Sequence, residues 1–167
     1  MEHNWKIDII LELFYEYPNK IFSVREISNK LKIPSSTVQR HLKKIRKEGL
    51  ITKENKANIT PYFKFRKTYF MIDKLFKYDL VEYIEEELNP SCMILFGSFR
   101  KGEYVKESDI DLFVETLKTK EIDLSKFEKK LKHSIHIFTE KDINDLPEHL
   151  LNNVMNGIKL MGYFKIK

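Results

Sequence analysis

The sequence is poor in the features that mark secreted, membrane-spanning or fibrous chains. It has one cysteine, Cys92, so no internal disulfide can form and an oxidising compartment is not indicated. The longest apolar run, Cys92 to Phe96, is far shorter than the roughly 20 residues that span a bilayer. Glu2 and Asp8 stand where a signal peptide would carry basic residues. Repeats and low-complexity segments are also lacking, so the sequence predicts a globular protein of the cytoplasm.

Charge is distributed unevenly along the 167 residues. Residues 1–68 carry 15 Lys and Arg against 7 Asp and Glu, a net charge of +8, whereas residues 69–167 carry a net charge of −3. Such asymmetry is typical of a polyanion-binding module joined to a second module. We therefore expect domains at 1–68 and 69–167. The charge distribution alone does not exclude the alternative, a basic surface that is only solvated.

The first fifty residues show three amphipathic helical patterns. Apolar residues recur at helical spacing before Pro18, which predicts the end of the first helix. A second helix is predicted from Ser23, where Glu26 three residues later completes a capping box. A third follows Pro34 and ends at Gly49, a residue that favours left-handed backbone. The inner apolar positions are Ile7, Ile10, Leu11 and Phe14, then Val24, Ile27 and Leu31, then Val38, Leu42 and Ile45.

The second and third helices are joined by the short turn 32–34, and two strand-like segments follow them. A basic, polar outer face on the third helix is typical of a helix-turn-helix. Ile51–Glu54 and Ile59–Arg66 predict a β-hairpin, because aromatic and basic residues alternate in the second segment. Residues 23–51 with this basic wing resemble the winged helix-turn-helix of prokaryotic regulators. The resemblance implies DNA binding.

The outer residues of the third helix and of the wing are the candidate DNA contacts. They carry cationic and hydrogen-bonding groups, which position a protein on phosphates without by themselves specifying a base sequence. A module that binds a protein partner, with a basic face that is only solvated, stays open as the alternative. The candidate DNA-binding residues are Ser36, Gln39, Arg40, Lys43, Lys47, Lys64 and Arg66.

The second half begins with a predicted linking helix over residues 69–88 and continues into two apolar strands. The first strand, Cys92–Phe96, leads directly into Gly97 and Ser98, and the second carries Asp109 and Asp111. Successive side chains of a strand point to opposite faces, so the two carboxylates project together, about 6–7 Å apart along the backbone. Solvated charges on a strand edge are the alternative interpretation.

Two neighbouring carboxylates repel each other, and a cation favours the ionisation of both. Mg²⁺ suits such a pair, because it binds few protein oxygens and completes its shell with water and phosphates. Gly97 permits close approach of the backbone to a phosphate, and Ser98 adds a hydroxyl at the predicted start of a helix. The sequence therefore predicts a site for a metal-bound triphosphate.

This arrangement, Gly97-Ser98, Gly102 and then Ser-Asp-x-Asp at 108–111, resembles the signature of the polymerase beta nucleotidyltransferase superfamily, and most closely its minimal prokaryotic members. The resemblance implies that Gly97 and Ser98 bind the nucleoside triphosphate and that Asp109 and Asp111 are catalytic and hold Mg²⁺. With the N-terminal half it implies an α+β chain: a winged helix-turn-helix followed by a small α/β nucleotidyltransferase domain with a mixed sheet.

One element of that pattern is not found. By the same resemblance, active members place a third acid on a later strand, here predicted over residues 134–138, where it assists a second metal and activates the acceptor. His136 occupies the expected position, and residues 133–139 contain no Asp or Glu. A base, a metal ligand and a structural histidine are all considered for His136, and the structural interpretation is favoured. Glu115 faces the same side as Asp111 but lies two side chains further along.

Two functions are consistent with these patterns. In the first, the chain binds DNA and Mg-NTP, with ATP expected, and transfers a nucleoside monophosphate to a hydroxyl of a protein or other acceptor. In the second, it is a DNA-binding transcriptional regulator whose degenerate nucleotidyltransferase domain serves nucleotide sensing or dimerisation. The resemblance also implies an all-helical toxin-type partner protein, and a homodimer in which a second chain donates a carboxylate is left open.

Overall fold

The computed structural model describes residues 5–167. The chain divides into two compact units, with the boundary between Lys67 and Thr68. Among the described residues, no helix has both the length and the apolar character needed to cross a membrane.

The N-terminal unit contains the three predicted helices, which are confirmed as α1 (Trp5–Glu16), α2 (Val24–Leu31) and α3 (Ser35–Lys47). The Ser23 hydroxyl caps α2 by accepting a hydrogen bond from the backbone N–H of Glu26 at 3.1 Å. Their apolar faces meet in one core, which also includes Phe22, whose ring packs edge-on against Phe14 with centroids 5.3 Å apart.

Neither of the two predicted wing strands, Ile51–Glu54 and Ile59–Arg66, is a strand in the structure. The wing is a short hairpin closed by an isolated bridge between Ile51 and Ala57, and residues from Pro61 onward form helix α4 (Pro61–Lys77). The helix starts here because Thr60 accepts a hydrogen bond from the Phe63 N–H at 3.1 Å, and because proline is well suited to the first helical position.

The predicted single helix over residues 69–88 is also corrected. Helix α4 ends at Lys77, and a second helix, α5 (Leu80–Leu88), begins after Asp79. Asp79 has a left-handed backbone with a φ of 62°, which a continuous helix does not allow.

The C-terminal unit is built on a four-stranded mixed sheet, which confirms the predicted fold class. The strands are β1 (Cys92–Phe96), β2 (Ile110–Glu115), β3 (Ile135–Glu140) and β4 (Ile158–Gly162), in the order β3-β2-β1-β4. β1 pairs antiparallel with both β2 and β4, whereas β2 and β3 are parallel. The helices that follow α5 are α6 (Gly97–Lys101), α7 (Ser125–Leu131) and α8 (Glu148–Met155).

All five residues of β1 are buried, so both faces of the sheet are covered at its centre. On one face, side chains from β1 and β2 pack beneath α8 and the short 3-10 helix Ile143–Asp145. Asp111 lies on β2 two residues before Phe113, a member of this cluster, so the candidate metal ligands continue the same face beyond the core. The cluster consists of Cys92, Ile94, Phe96, Phe113, Ile143, Leu146 and Val154.

His41 is a buried polar side chain within the N-terminal unit. It lies on α3, is 4% exposed, and its Nε2 has no hydrogen-bond partner among residues 5–167. Burial, with the positive charges of Arg40, Lys6 and Lys44, lowers the pKa of His41 below its ordinary value. The folded chain therefore favours the neutral imidazole.

This burial predicts acid destabilisation. The unfolded chain binds a proton near pH 6.5 and the folded chain resists it, so the free energy of unfolding should fall as the pH drops below that value, by at most about 1.4 kcal/mol per pH unit. Urea unfolding at pH 7.5, 6.0 and 5.0 measures this slope. His41→Leu should reduce it, whereas His149→Leu, on the exposed face of α8, should not; equal slopes in the two variants would contradict the assignment.

Candidate functional site

Gly97 stands at the junction of β1 and α6 and directly faces Asp111. Its φ is +69°, a conformation that favours glycine, and a Cβ at this position would overlap with Oδ2 of Asp111 and lie 3.2 Å from its γ-carbon. Phe96, the preceding residue, pairs with Asp111 across the sheet. Glycine is therefore required both by the turn and by the close approach of the backbone to the carboxylate. Ser98 follows in the first turn of α6 and is half-buried.

Asp109 and Asp111 occupy the start of β2, on the same side of the strand. Asp109 immediately precedes the first residue of β2, and one oxygen of each carboxylate lies 3.9 Å from Nδ1 of His136. The side chain of Asp109 is 43% exposed and that of Asp111 is 26% exposed. The structure thus brings the two predicted carboxylates together, with Gly97 beside one of them.

The electrostatics of this pair favour a bound cation. Burial raises the pKa of Asp111 above its ordinary value; His136 opposes the rise and the neighbouring Asp109 adds to it. A divalent cation would offset both the desolvation and the repulsion. Carboxylate oxygens are suitable ligands for Mg²⁺, and two of them leave positions for water and phosphate oxygens. The donor set therefore fits one Mg²⁺ ion.

His136 belongs to this cluster and is not a core residue. In the parallel pairing of β2 with β3 it lies directly opposite Asp111, and its side chain is 56% exposed. At 3.9 Å its Nδ1 is outside hydrogen-bond distance of the nearest Asp109 and Asp111 oxygens. The favoured interpretation, a structural histidine on a half-buried strand with a neighbour as its partner, stays a prediction; β3 is partly buried, and the nearest oxygens of Asp109 and Asp111 lie 3.9 Å from the His136 ring.

The other acids of β2, of β3 and of the turn after β3 lie away from the two aspartates. Glu115 accepts hydrogen bonds from the Ile143 N–H at 2.8 Å and the Ser91 hydroxyl at 2.5 Å. Asp142 accepts one from Lys167, which contributes most to lowering its pKa. Glu140 lies at the far end of β3, opposite Glu115. Among residues 5–167, no group of three or more His, Cys, Asp or Glu side chains is arranged to hold a metal ion.

The loop between α6 and Asp109 is anchored by residues that sequence reasoning left unassigned. His133 is buried, its Nδ1 donates to the Ser108 carbonyl at 2.8 Å, and its ring contacts Phe99 and Tyr104. Phe99 and Tyr104 stack with centroids 4.1 Å apart. The N–H of Val105 donates to the Ser108 hydroxyl at 2.9 Å. These contacts fix the backbone from which Asp109 projects.

The candidate site is open to solvent at the side chains of Asp109 and His136, whereas Asp111 is largely buried. Two cavities of about 310 and 360 Å³ in the C-terminal unit are formed by other residues, one beside Pro90 and Lys118 and the other beside Tyr83 and Lys126. The first adjoins the end of the sheet where Cys92 pairs with Glu115, opposite the end that carries Asp111. Neither of these two cavities is lined by Gly97, Asp109, Asp111 or His136.

The candidate DNA surface of α3 is exposed as the sequence predicts. All five α3 positions face solvent, whereas Val38, Leu42 and Ile45 are buried. The turn before α3 is closed by Ser28, whose hydroxyl donates to the Ile33 carbonyl at 2.7 Å. The exposed α3 positions are Ser36, Gln39, Arg40, Lys43 and Lys47.

Lys64 and Arg66 do not lie on the wing. Both belong to α4, and Arg66 contacts Glu48 at 3.5 Å while donating to the Tyr62 hydroxyl at 3.1 Å. The wing carries Lys53, which is exposed, and Lys56 instead. Arg46 connects α3 to the wing, donating to the Asn55 side chain at 2.7 Å.

Comparison with known protein families matches both units. Residues 10–53 match the family described as bacterial regulatory protein, arsR family. Residues 77–167, more than half of the chain, match the nucleotidyltransferase domain. The chain matches no curated protein and no solved structure. The matched domain contains Gly97, both aspartates and His136. The chain therefore belongs to the nucleotidyltransferase-domain family, with an ArsR-type, DNA-binding helix-turn-helix ahead of that domain.

Proposed function

We propose that the C-terminal unit binds a Mg²⁺-bound nucleoside triphosphate, with ATP as the expected nucleotide, and transfers its nucleoside monophosphate to an acceptor hydroxyl. The observation that carries this proposal is the close approach of Gly97 to Asp111, beside the exposed carboxylate of Asp109. A triphosphate anion bound with a cation needs such a combination of accessible backbone and cation-binding oxygens.

In this reaction the acceptor oxygen attacks the α-phosphorus, the bond from that phosphorus to the bridging oxygen of the β-phosphate breaks, and pyrophosphate leaves. Asp109 and Asp111 would hold the cation, and the backbone at Gly97 and Ser98 would bind the phosphates. The bound Mg²⁺ supplies charge neutralisation and polarisation of the phosphate oxygens. Arg100 and Lys101, both exposed on α6, add positive charge.

The acceptor we propose is a hydroxyl of a protein in the cytoplasm. The partial exposure of Asp109 supports this choice, since it leaves the carboxylate accessible to a protein partner. The resemblance to minimal nucleotidyltransferases points to an all-helical toxin-type protein as that partner.

Nucleotide binding tests the first step. Equilibrium dialysis with labelled ATP should show Mg²⁺-dependent binding that weakens at least about 100-fold in Asp109→Asn, because the cation loses one of its two protein carboxylates. Glu107→Gln is the matched control, since it removes the same charge from an exposed position two residues away. Equal losses in both variants, or ATP binding that ignores Mg²⁺, would contradict the proposal.

A second function is favoured by His136, which stands where a third carboxylate would face Asp111. In this case the chain is a DNA-binding regulator that binds the nucleotide without turning it over. Label transfer from ATP to candidate proteins, lost in Asp109→Ala, supports the transferase. DNA binding that changes with Mg-ATP, without label transfer, supports the regulator.

For the N-terminal unit we propose that α3 contacts DNA through Ser36, Gln39, Arg40, Lys43 and Lys47, with Lys53 of the wing as an added phosphate contact. The exposure of all five α3 positions supports this surface, as does the positive charge of residues 1–68. Lys64 and Arg66 are left out of it, because they lie on α4.

Salt dependence tests this surface. The logarithm of the DNA-binding constant falls linearly with the logarithm of salt concentration. Each Lys–phosphate contact that is lost reduces the magnitude of this slope by about 0.9. Lys43→Ala should therefore reduce the slope by about one and weaken binding equally for unrelated sequences, as measured by fluorescence anisotropy over a KCl series. Lys129→Ala removes the same charge from the exposed face of α7 and should leave the slope unchanged. An unchanged slope in Lys43→Ala would remove that residue from the interface.

A further inference from the structure

Phe138 presents an aromatic ring to solvent beside the candidate site. It lies on β3 two residues after His136, so the two side chains point to the same face of the sheet. Its ring contacts the ring of Phe96, with centroids 5.5 Å apart and an edge-on angle of 62°. Phe96 is 5% exposed and belongs to the buried cluster on this face, whereas Phe138 is 38% exposed. Phe138 is therefore an exposed aromatic surface at the margin of that cluster, held on one side by a buried ring.

The pairing of the strands places this ring close to Asp111. Phe96 pairs with Asp111 across β1 and β2. Phe138 pairs with Phe113, the next residue of β2 on the same face as Asp111. Because β2 lies between β1 and β3, the two rings in contact meet above β2, at the level between Asp111 and Phe113. The exposed ring thus borders one of the two carboxylates that would hold the cation.

A single exposed aromatic residue is ordinary on a protein surface, and it is the position of Phe138 beside a triphosphate site that gives it a role. We propose that Phe138 stacks against the base of the bound nucleotide, so that the site accepts purine nucleoside triphosphates without distinguishing adenine from guanine. This inference rests on the proposed function and specifies which nucleotides that function uses.

The distance from Asp111 to Phe138 suits a nucleotide. Neighbouring strands lie about 4.8 Å apart and two residues of a strand span about 6.6 Å, so the two residues are roughly 8 Å apart across the sheet. In a nucleoside triphosphate, one ribose separates the α-phosphate from the base. A nucleotide whose phosphates are held through the cation at Asp109 and Asp111 is therefore long enough to bring its base to Phe138.

Stacking determines the expected base preference. Every base has a π-face, so an aromatic platform contacts a base without reading its hydrogen-bonding edge. A purine has a larger ring surface than a pyrimidine and therefore stacks more strongly. ATP and GTP should bind with similar affinity, and UTP should bind more weakly than both.

Inorganic tripolyphosphate isolates the contribution of the base, because it carries the phosphates alone. Isothermal titration calorimetry of the full chain with Mg²⁺ measures the affinity for both ligands. Phe138→Leu keeps an apolar side chain against Phe96 but removes the ring. It should weaken ATP binding about 5- to 150-fold, the range expected for the loss of one stacked base, and leave tripolyphosphate binding unchanged. Phe138→Trp keeps an aromatic platform and should bind ATP at least as tightly as wild type.

Tyr163→Leu is the matched control, because it removes an aromatic ring that is 69% exposed at the other end of the sheet. Tyr163 follows β4, and its N–H donates to the carbonyl of Ser91, the residue before β1. This substitution should change the affinity for neither ligand. Circular dichroism melts of all variants show whether they remain folded.

Equal affinity of wild type and Phe138→Leu for ATP would overturn the inference. So would an equal loss for ATP and tripolyphosphate, because the ring would then only shape the cation site, and so would GTP binding as weak as UTP binding. In each of these cases the proposed function stands if Asp109→Asn still weakens the binding of tripolyphosphate. If Asp109→Asn leaves the binding of both ligands unchanged, the proposed function fails and this inference fails with it.

Discussion

His136→Asp should increase transfer of nucleoside monophosphate at least about 100-fold over the wild-type chain. The substitution places a third carboxylate directly opposite Asp111 in the β2–β3 register, on an exposed side chain that already lies near both aspartates. Three carboxylates can hold two metal ions, and the added oxygen can accept the proton of the attacking hydroxyl; a general base typically contributes 10²–10⁴-fold. Labelled ATP with Mg²⁺ and the candidate acceptor measures the rate.

The control for this gain is His136→Asn, which matches aspartate in size but carries no negative charge. It should stay at the wild-type rate, and Mn²⁺ titration followed by electron paramagnetic resonance should show more metal bound per chain in His136→Asp alone. An equal rate in all three proteins would mean that position 136 does not limit the chemistry.

Gly97→Ala should weaken Mg²⁺-dependent ATP binding at least about tenfold while leaving the chain folded. The new Cβ would overlap with the Asp111 carboxylate, so that side chain must leave its observed position. Left-handed backbone at a residue with a Cβ adds a cost of about 1–2 kcal/mol to the free energy of folding. Urea unfolding and equilibrium dialysis measure the two effects separately.

Gly49→Ala is the control that separates the free-energy cost of left-handed backbone from the loss of ATP binding. Gly49 has a similar φ of +75°, yet a Cβ there meets nothing within 4 Å. It should therefore show a comparable fall in stability with unchanged ATP binding. If both variants bind ATP as wild type does, Asp111 does not need its observed position and the site is assigned wrongly.

The candidate site was predictable because short-range rules determine it. Alternation along β2 places Asp109 and Asp111 together, and the break after Phe96 is set by Gly97. The packing of Gly97 against Asp111 was not predictable, since it depends on the pairing of β1 with β2. The amino-acid sequence alone does not show which strands become neighbours in the sheet.

Helix α4 shows where the sequence patterns conflict. Residues 63–66 alternate between aromatic and basic, which predicts a strand, but Tyr62 and Phe65 begin a series of large apolar residues that continues at helical spacing to Phe76. Thr60 and Pro61 form a helix start that marks the helical interpretation as the correct one. A helix with apolar residues on two faces can look like an alternating strand over four residues, so only a longer window distinguishes the helix from the strand.

The sequence could not predict the environments of two histidines: His136 is exposed although its neighbours in sequence are apolar, and His133 is buried although its neighbours are mostly polar. His136 follows an apolar residue on an edge strand, and its exposure depends on what covers that edge. His133 follows a polar stretch, yet it is buried against Phe99 and Tyr104, which are distant in sequence. Contacts between residues distant in sequence determine both environments, and a local sequence pattern does not predict such contacts.

A crystal of the chain soaked with Mn²⁺ and a non-hydrolysable ATP analogue tests the central claim most directly, because manganese is located by its anomalous scattering. The account predicts an anomalous peak in contact with carboxylate oxygens of Asp109 and Asp111, with the triphosphate beside Gly97 and Ser98. Analogue bound elsewhere on the chain, or a peak that excludes both aspartates, would contradict it.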